Sequence, residues 1–451
     1  AEPPMTYFWP LAMCGALLVG IFFGYPVALV LAGIGVLTAF AADVPLIFLS
    51  TGVSRIFSGI LANWLLIAVP LFVFMGLMLE KSGIAQRLLR SLAGLIGGLP
   101  GGYAFAVAII GIVMAASTGI IGASVVLMGV LALPAMMRSG YDLRLSTGII
   151  AATGTLGILI PPSIMLVVLG DTLRLSVGDL FAGALFPGLL LGGLYIVWLI
   201  LIAIFKPQLM PPLPAAERLP MAQVLWALAR DLLAPLALIL VVLGSIVAGI
   251  ATPTEAAALG ALGAFVLALL TRSLNWQQFV ETLRDTTKTT AMIMAVMIGA
   301  TVFSVIFRKL GGDTMIADAL GVSDGEANAY WVLTVVMLFI FVLGMFLDWV
   351  EITFIVIPIV APIIAGLDFG LPKEEVLLWF AILFAVNLQT SFLTPPFGYA
   401  LFYIRGIAPP EVATRTIYQG IVPFVAIQII GLLLTIAFPQ LVLWLPKVLL
   451  G

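Results

Sequence analysis

Residues 154–163 read GTLGILIPPS and residues 387–398 read NLQTSFLTPPFG. Each sets a double proline among small and hydroxyl residues inside a long apolar stretch. Proline has no N–H to donate and its ring clashes with the preceding turn, so two in succession stop a helix. The stretches 145–175 and 376–408 are therefore expected to be broken helices with unwound backbone near their middles.

Composition says what surrounds those breaks. Of 451 residues, 63% are hydrophobic and 9% charged, whereas soluble domains carry about a quarter charged residues. Apolar runs of about 20 residues, enough to cross a bilayer, recur along the chain. The expected fold class is an all-α polytopic membrane protein. A net charge of −2 offers no basic surface to nucleic acid, and the single Cys14 cannot form an internal disulfide. The chain has no histidine, which removes the commonest general base and proton relay. Without a Gly-Lys dipeptide there is no Walker A loop, and no nucleophile, base and orienting group cluster as an enzyme would need. The first apolar stretch lacks a basic leader and a cleavage site, so it is expected to span rather than be removed.

Ordinary spans are expected at 5–23, 25–42, 61–80, 180–205, 231–251, 254–271, 287–307 and 414–437. Two further stretches, 102–136 and 330–364, are interrupted by ASTGIIGAS (Ala116–Ser124) and LGMFLDWVE (Leu343–Glu351). Each arm is too short to cross, so both stretches are predicted to be re-entrant hairpins whose tips are buried in protein. The halves also repeat. Lys81 and Gly83 correspond to Lys309 and Gly311, Tyr103 to Trp331 and Pro134 to Pro362, all at a spacing of 228 residues. Residues 1–205 form the first repeat, 206–230 a Pro-rich linker on the cytoplasmic side, and 231–451 the second repeat. Each half crosses an odd number of times, which predicts an inverted-topology repeat of the kind secondary transporters use.

Loop charge sets the direction, because Lys and Arg gather on the cytoplasmic side. Lys81, Arg87, Arg90, Arg138 and Arg144 flank the first hairpin against Glu80 and Asp142, whereas around the second Arg308, Lys309 and Lys373 face Asp313, Asp318, Asp324, Glu326, Asp368, Glu374 and Glu375. The first hairpin mouth and the linker are therefore placed in the cytoplasm. Segment 84–98 puts Ile84, Leu88, Leu92 and Leu95 on one face, which suits a helix lying on the membrane or an arm between domains.

The run GYDLRLSTGIIAATGTLGILIPPSIMLVVLGDTLRLSVGDLFAGALFPGLLL, with AASTGIIGAS before it and FLTPPFGYALFYIRG late in the chain, resembles the large membrane subunit of tripartite ATP-independent periplasmic (TRAP) transporters. The resemblance implies a sodium-driven importer of organic acids working as an elevator. It also implies two partners, a small four-helix membrane subunit and a periplasmic substrate-binding protein. The wording of the first tip leans toward the branch handling 2-oxo acids and related carboxylates. No cofactor is expected beyond sodium as coupling ion. A stand-alone sodium- or proton-coupled carboxylate carrier is the alternative.

Unwound backbone exposes carbonyls, and Ser and Thr hydroxyls add the hard oxygens a dehydrated sodium ion requires. One sodium set is expected at Ser117, Thr118 and Gly119 with Gly154, Thr155 and Gly157. The other is expected at Gly344 and Asp348 with Thr394, Pro395 and Gly398. Ser124, Ser163, Asn387, Gln389 and Thr390 are candidate donors to a substrate carboxylate. Asp348 and Glu351, spaced i, i+3 at membrane depth, are read as sodium ligand or gate, or else as members of a salt bridge or of a hairpin mouth open to water. Arg405, just beyond the second break, is read as attracting the substrate anion or, in preference, as snorkelling to the cytoplasmic interface, and Glu80, Asp171 and Glu255 are expected at helix ends.

Overall fold

The computed structural model describes residues 7–119, 121–213, 221–322 and 328–450, with no strand among them. The first half opens with α1 (Phe8–Phe22), α2 (Val27–Ala41) and α3 (Leu46–Ile56). A π turn (Phe57–Leu61) and a 3₁₀ turn (Trp64–Ile67) then lead into α4 (Ala68–Lys81) and α5 (Ile84–Ile96). Helices α6 (Gly102–Thr118) and α7 (Ile121–Arg138) form the first hairpin, α8 (Leu143–Thr155) and α9 (Ile164–Leu173) the first broken helix, and α10 (Val177–Phe205) closes the half. The second half runs through α11 (Met221–Val247), α12 (Pro253–Leu270), α13 (Trp276–Lys309) and α14 (Gly312–Ala319). Its hairpin is α15 (Ala329–Gly344) with α16 (Trp349–Ile355) and α17 (Ile357–Ala365). Its broken helix is α18 (Lys373–Phe392) with α19 (Tyr399–Ile407), followed by α20 (Thr414–Ala437) and α21 (Gln440–Leu450).

The expected interruptions are where the helices stop. Gly119, at φ 60°, caps α6 in the left-handed conformation that glycine adopts without a Cβ penalty. The first half holds α3 and α4 apart at Ala62–Asn63, where the second half runs the continuous 34-residue α13. Lys81, at the C-terminal end of α4, reaches Asp285 at 3.1 Å and Glu281 at 3.9 Å near the start of α13. These repeat counterparts therefore run antiparallel, as an inverted repeat requires.

Four sequence expectations need correction. Helix α11 begins at Met221, so the prolines of the linker end at Pro220 and its last ten residues are helical. Helices α3 and α21 were not anticipated. Ser50, Ser54, Arg55 and Ser58 dilute the hydropathy of 46–61, and Pro446 with Lys447 interrupts 440–450. The apolar face of α5 turns to protein: Ile84, Leu88 and Leu92 are buried between α6 and α11, and only Gln86 and Arg90 are fully exposed along it. Finally, Lys81 and Arg87 are not bare loop charges. Arg87 Nε sits 3.1 Å from Asp231 of α11, pinning α5 to that helix.

Packing sorts the helices into two blocks bridged by α5. In one, α2 lies along α13, α4 along α12 and α13, and α11 along α12. In the other, the first hairpin and both broken helices pack with α10 and α20, α21 lies on α10 and α18, and the second hairpin joins through α18 and α9 while its α16 also touches α13. The plain spans α10 and α20 thus accompany the hairpins. Hydropathy reports which segments cross, not which neighbours they choose. Helix α20 crosses α8 at Gly148 and Gly420, where a Cβ on Gly148 would overlap the Gly420 carbonyl oxygen and one on Gly420 the Arg144 carbonyl oxygen. Small residues at a crossing let two backbones meet where lipid supplies no hydrophobic drive.

The linker is stitched to the mouth of the first hairpin. Gly101 N donates to Met210 O at 2.9 Å, Asp142 N to Leu209 O at 2.8 Å, and Leu213 N to Gly97 O at 2.7 Å. On the opposite face, Tyr7 Oη donates to Asp318 of α14. In a Cys14→Ser background, cysteines at exposed Gln86 and exposed Ala319 are expected to react with a membrane-impermeant maleimide from opposite sides of oriented vesicles. Labelling of both from one side would remove the inverted topology.

Candidate functional site

Both hairpin tips end against the second segment of a broken helix. In the first repeat, a Cβ built on Gly119 would lie 3.3 Å from Ile164 N, the first residue of α9. Gly154, in the last turn of α8, packs so closely on Val125 of α7 that a Cβ there would overlap its side chain. The 3₁₀ turn Leu156–Ile158 touches both arms of the hairpin. In the second repeat, Gly398 at φ 51° precedes α19, and its N–H donates to Met345 O of the tip at 3.2 Å. Ile164 and Gly398 are repeat counterparts, so the same junction is built twice. The Pro161–Pro162 and Pro395–Pro396 bonds are both cis.

Chemically, each junction presents a half-helix N-terminus beside released carbonyls. The positive dipole ends at the start of α9 and α19 favour an anion. A Cβ on Gly398 would stand 3.0 Å from both the Phe392 and Thr394 carbonyl oxygens, so two backbone oxygens converge there. Gly344 rests directly on Ser391, and Thr394 Oγ1 donates to Thr390 O at 2.8 Å. Asp348 caps α16 by accepting from Trp349 N at 2.7 Å. Glu351 follows in the first turn, and its buried Oε2 has no partner among the described residues. Both carboxylates thus stand at a tip rather than at an open mouth.

Gly119, Gly154, Thr155 and Gly157 of the first sodium set fall on the first junction, and Gly344, Asp348, Thr394, Pro395 and Gly398 on the second. The side chains of Ser117 and Thr118 lie outside the described residues. The candidate carboxylate donors are more dispersed. Ser163 Oγ donates to Ile158 O at 2.7 Å and accepts from Leu166 N as the cap of α9. Asn387 Nδ2 donates to Met337 O of α15 at 2.7 Å, and Thr390 Oγ1 to Val386 O at 3.2 Å. Ser124 is buried in α7. The fold therefore occupies Ser163, Asn387 and Thr390 with backbone contacts of its own.

Gln389 does something the sequence reading missed. Its Nε2 donates to Thr155 O at 2.9 Å, joining repeat-related positions across the two broken helices. Gln428 Nε2 of α20 donates to Thr155 Oγ1 at 3.2 Å and to Tyr195 Oη of α10 at 2.6 Å. All four residues are fully buried. A signal existed, since an amide deep inside the apolar run of α20 is expensive unless it has partners. Of the helix-end residues, Glu255 closes a capping box with Thr252. Asp171 accepts from Asn63 Nδ2 at 2.6 Å, tying the end of α9 to the gap between α3 and α4. Arg405 is exposed in the last turn of α19.

The geometry has relatives. The YdaH transporter of Alcanivorax borkumensis, whose crystal structure was described as revealing an unusual topology, superposes with a TM-score of 0.56 over 87% of this chain and 89% of that one at 13% identity. The fold is shared with that transporter. By sequence, the chain is 29% identical over 424 residues to the C4-dicarboxylate TRAP transporter large permease protein DctM of Vibrio cholerae, covering 89% of this chain and 90% of that protein. It is 31% identical to the protein of that name from Pseudomonas aeruginosa, covering 85% and 87%. It is 30% identical to the sialic acid TRAP transporter large permease protein SiaM of Vibrio cholerae, covering 86% and 88%. Residues 14–441 match the family described as tripartite ATP-independent periplasmic transporter, DctM component. The chain, a multi-pass inner-membrane protein, thus belongs to the DctM family of large permease subunits of TRAP transporters.

Proposed function

We propose that this permease imports a small organic acid coupled to sodium, taking the substrate from a periplasmic binding protein and working beside a small four-helix membrane subunit. The observation that carries this reading is the doubled junction, in which each hairpin tip meets a helix break where carbonyl oxygens and amide donors lie together. The carbonyls and hydroxyls suit sodium, and the half-helix N-termini suit a carboxylate. Relatives named for C4-dicarboxylates and for sialic acid are consistent with an acid substrate, and the wording of the first tip favours a 2-oxo acid or a dicarboxylate.

The two packing blocks support an elevator. The hairpin block slides as a unit against α1–α4 and α11–α13, with α5 as the arm held by Arg87 and Asp231. In this orientation the linker face is cytoplasmic and the acidic face is external. On that face Asp313, Asp368 and Glu374 are exposed, Asp318 is bonded to Tyr7, and Glu375 pairs with Lys447 at 2.9 Å. Asp324 and Glu326 lie outside the described residues. The rim offers its negative charge to the binding protein, which speeds encounter more than it holds the complex.

Uptake of labelled succinate and pyruvate into proteoliposomes holding this chain, the small subunit and the binding protein tests the reading. At least one acid is expected to accumulate with an inward sodium gradient, at roughly ten-fold or more above the rate with a proton gradient alone, and only with the binding protein present. Thr155→Val and Thr394→Val are expected to raise the sodium concentration needed for half-maximal uptake. Equal uptake in sodium-free buffer would refute sodium coupling. Equal uptake without the binding protein would favour the stand-alone carrier.

A further inference from the structure

Away from the junctions, a cleft of about 440 Å³ opens between the two packing blocks. It is lined by Arg55 and Ser58 from α3 and its π turn, Asp171 and Arg174 from the end of α9, and Ser304 and Arg308 from the last turns of α13. Pro358 of the second hairpin closes one side, its carbonyl accepting from Arg308 Nη2. Three guanidinium groups thus arrive from three elements, one of them in the hairpin block and two in the opposing block. Set against them is one carboxylate, and Asp171 already accepts from Asn63. Among the described residues neither Arg55 nor Arg308 makes an ion pair. The last turns of α9 and α13 and the mouth-side half of the second hairpin all belong to the face opposite the linker.

Arg55 and Arg174 are exposed and Arg308 is half-buried, so the guanidinium groups stand where a solute arriving from water would meet them. Each guanidinium offers five N–H donors in a planar fork that matches a carboxylate. With three guanidinium groups against one carboxylate the cleft carries an excess of positive charge, which concentrates anions, and its volume falls within the range of small-molecule pockets. We propose that Arg55, Arg174 and Arg308 form an anion-capture vestibule that receives a small carboxylate on the external face before it reaches the hairpin junctions. The proposal rests on the transport reading for its direction, but the binding itself does not. Because Arg174 moves with the hairpin block while Arg55 and Arg308 belong to the other, sliding of the blocks would pull the site apart and release the anion inward.

The test uses the purified full-length chain in detergent with Cys14→Ser and Ser58→Cys, the new thiol lining the cleft. Reaction rates are measured with an anionic and a cationic methanethiosulfonate of similar size, at low and high salt. The anionic reagent is expected to react faster, and Arg55→Gln with Arg174→Gln to lower the anionic-to-cationic rate ratio by roughly three- to five-fold per charge removed. High salt should erase the difference. Succinate or pyruvate should slow the modification, and the double Gln variant should need roughly ten-fold more of the acid for the same protection. Arg55→Lys with Arg174→Lys keeps the charge and should keep the rate ratio, which a purely structural role would not distinguish from the Gln pair. A rate ratio indifferent to the Gln substitutions, or no protection by either acid, would overturn the vestibule. Protection by an acid that the reconstituted system never accumulates would leave the vestibule standing and sink the transport reading.

Discussion

Gly398→Val is expected to reduce uptake about 100-fold while the protein still purifies as a monodisperse species. At φ 51° a Cβ would stand 3.0 Å from two carbonyl oxygens, Phe392 O and Thr394 O, and from Leu401 Cδ1. A left-handed conformation costs a non-glycine residue about 1–2 kcal/mol, and β-branching adds to that. Backbone oxygens cannot rotate away as a side-chain tip can. A combined penalty of about 3 kcal/mol corresponds to a factor of roughly 150, and it falls on the hydrogen bond from Gly398 N to Met345 O that seats the second tip. Gly24→Ala is the control, since its φ is 78° but nothing lies within 4 Å of its Cβ position. That variant should lose a little stability and no transport. Wild-type uptake by Gly398→Val, measured in proteoliposomes at matched protein, would mean that the seat is not used in transport.

Gly148→Val should damage the fold itself. The added carbon would overlap the Gly420 carbonyl oxygen and crowd Phe424, forcing α8 and α20 apart in the middle of the hairpin block. Overpacking typically costs 1–3 kcal/mol, and contact with rigid backbone places this variant at about 3 kcal/mol or above. The expected result in detergent is a thermal inactivation half-life shortened by well over ten-fold, with aggregation on size exclusion. Gly193→Val on α10 meets nothing within 4 Å and should be close to neutral. Equal half-lives for the two variants would show that the α8–α20 crossing is looser than its geometry.

The tips and breaks were legible because interruptions in an apolar run are local and expensive. Pro161, Pro162, Pro395 and Pro396 can be read one residue at a time. The repeat was legible because Lys81, Gly83 and Pro134 recur at one spacing. What sequence did not reveal depends on who sits next to whom. Nothing in α10 or α20 says that they travel with the hairpins, and nothing in Arg87 names Asp231 as its partner 144 residues away. Asn387 and Thr390 carry the right groups for a carboxylate, yet the fold turns those groups to backbone. Gln389 has a substrate donor's chemistry by residue type, whereas its amide spans the two repeats. The three arginines of the cleft are single residues in separate segments, and only the fold gathers them.

The bond between Thr155 and Gln389 also bears on how the chain is made. Thr155 O lies in the first broken helix, and its amide donor is 234 residues further along. Tyr195 waits for Gln428 over 233 residues. At ribosomal rates of about 5–20 residues per second, those partners emerge roughly 10–50 s later. During that interval the nascent first half carries an open carbonyl and a phenol at membrane depth, with no lipid group able to satisfy them. The first half must therefore remain beside the insertion machinery, or keep water at its core, until the second half arrives. The polar centre of the fold is therefore completed late, only when the second half supplies Gln389 and Gln428.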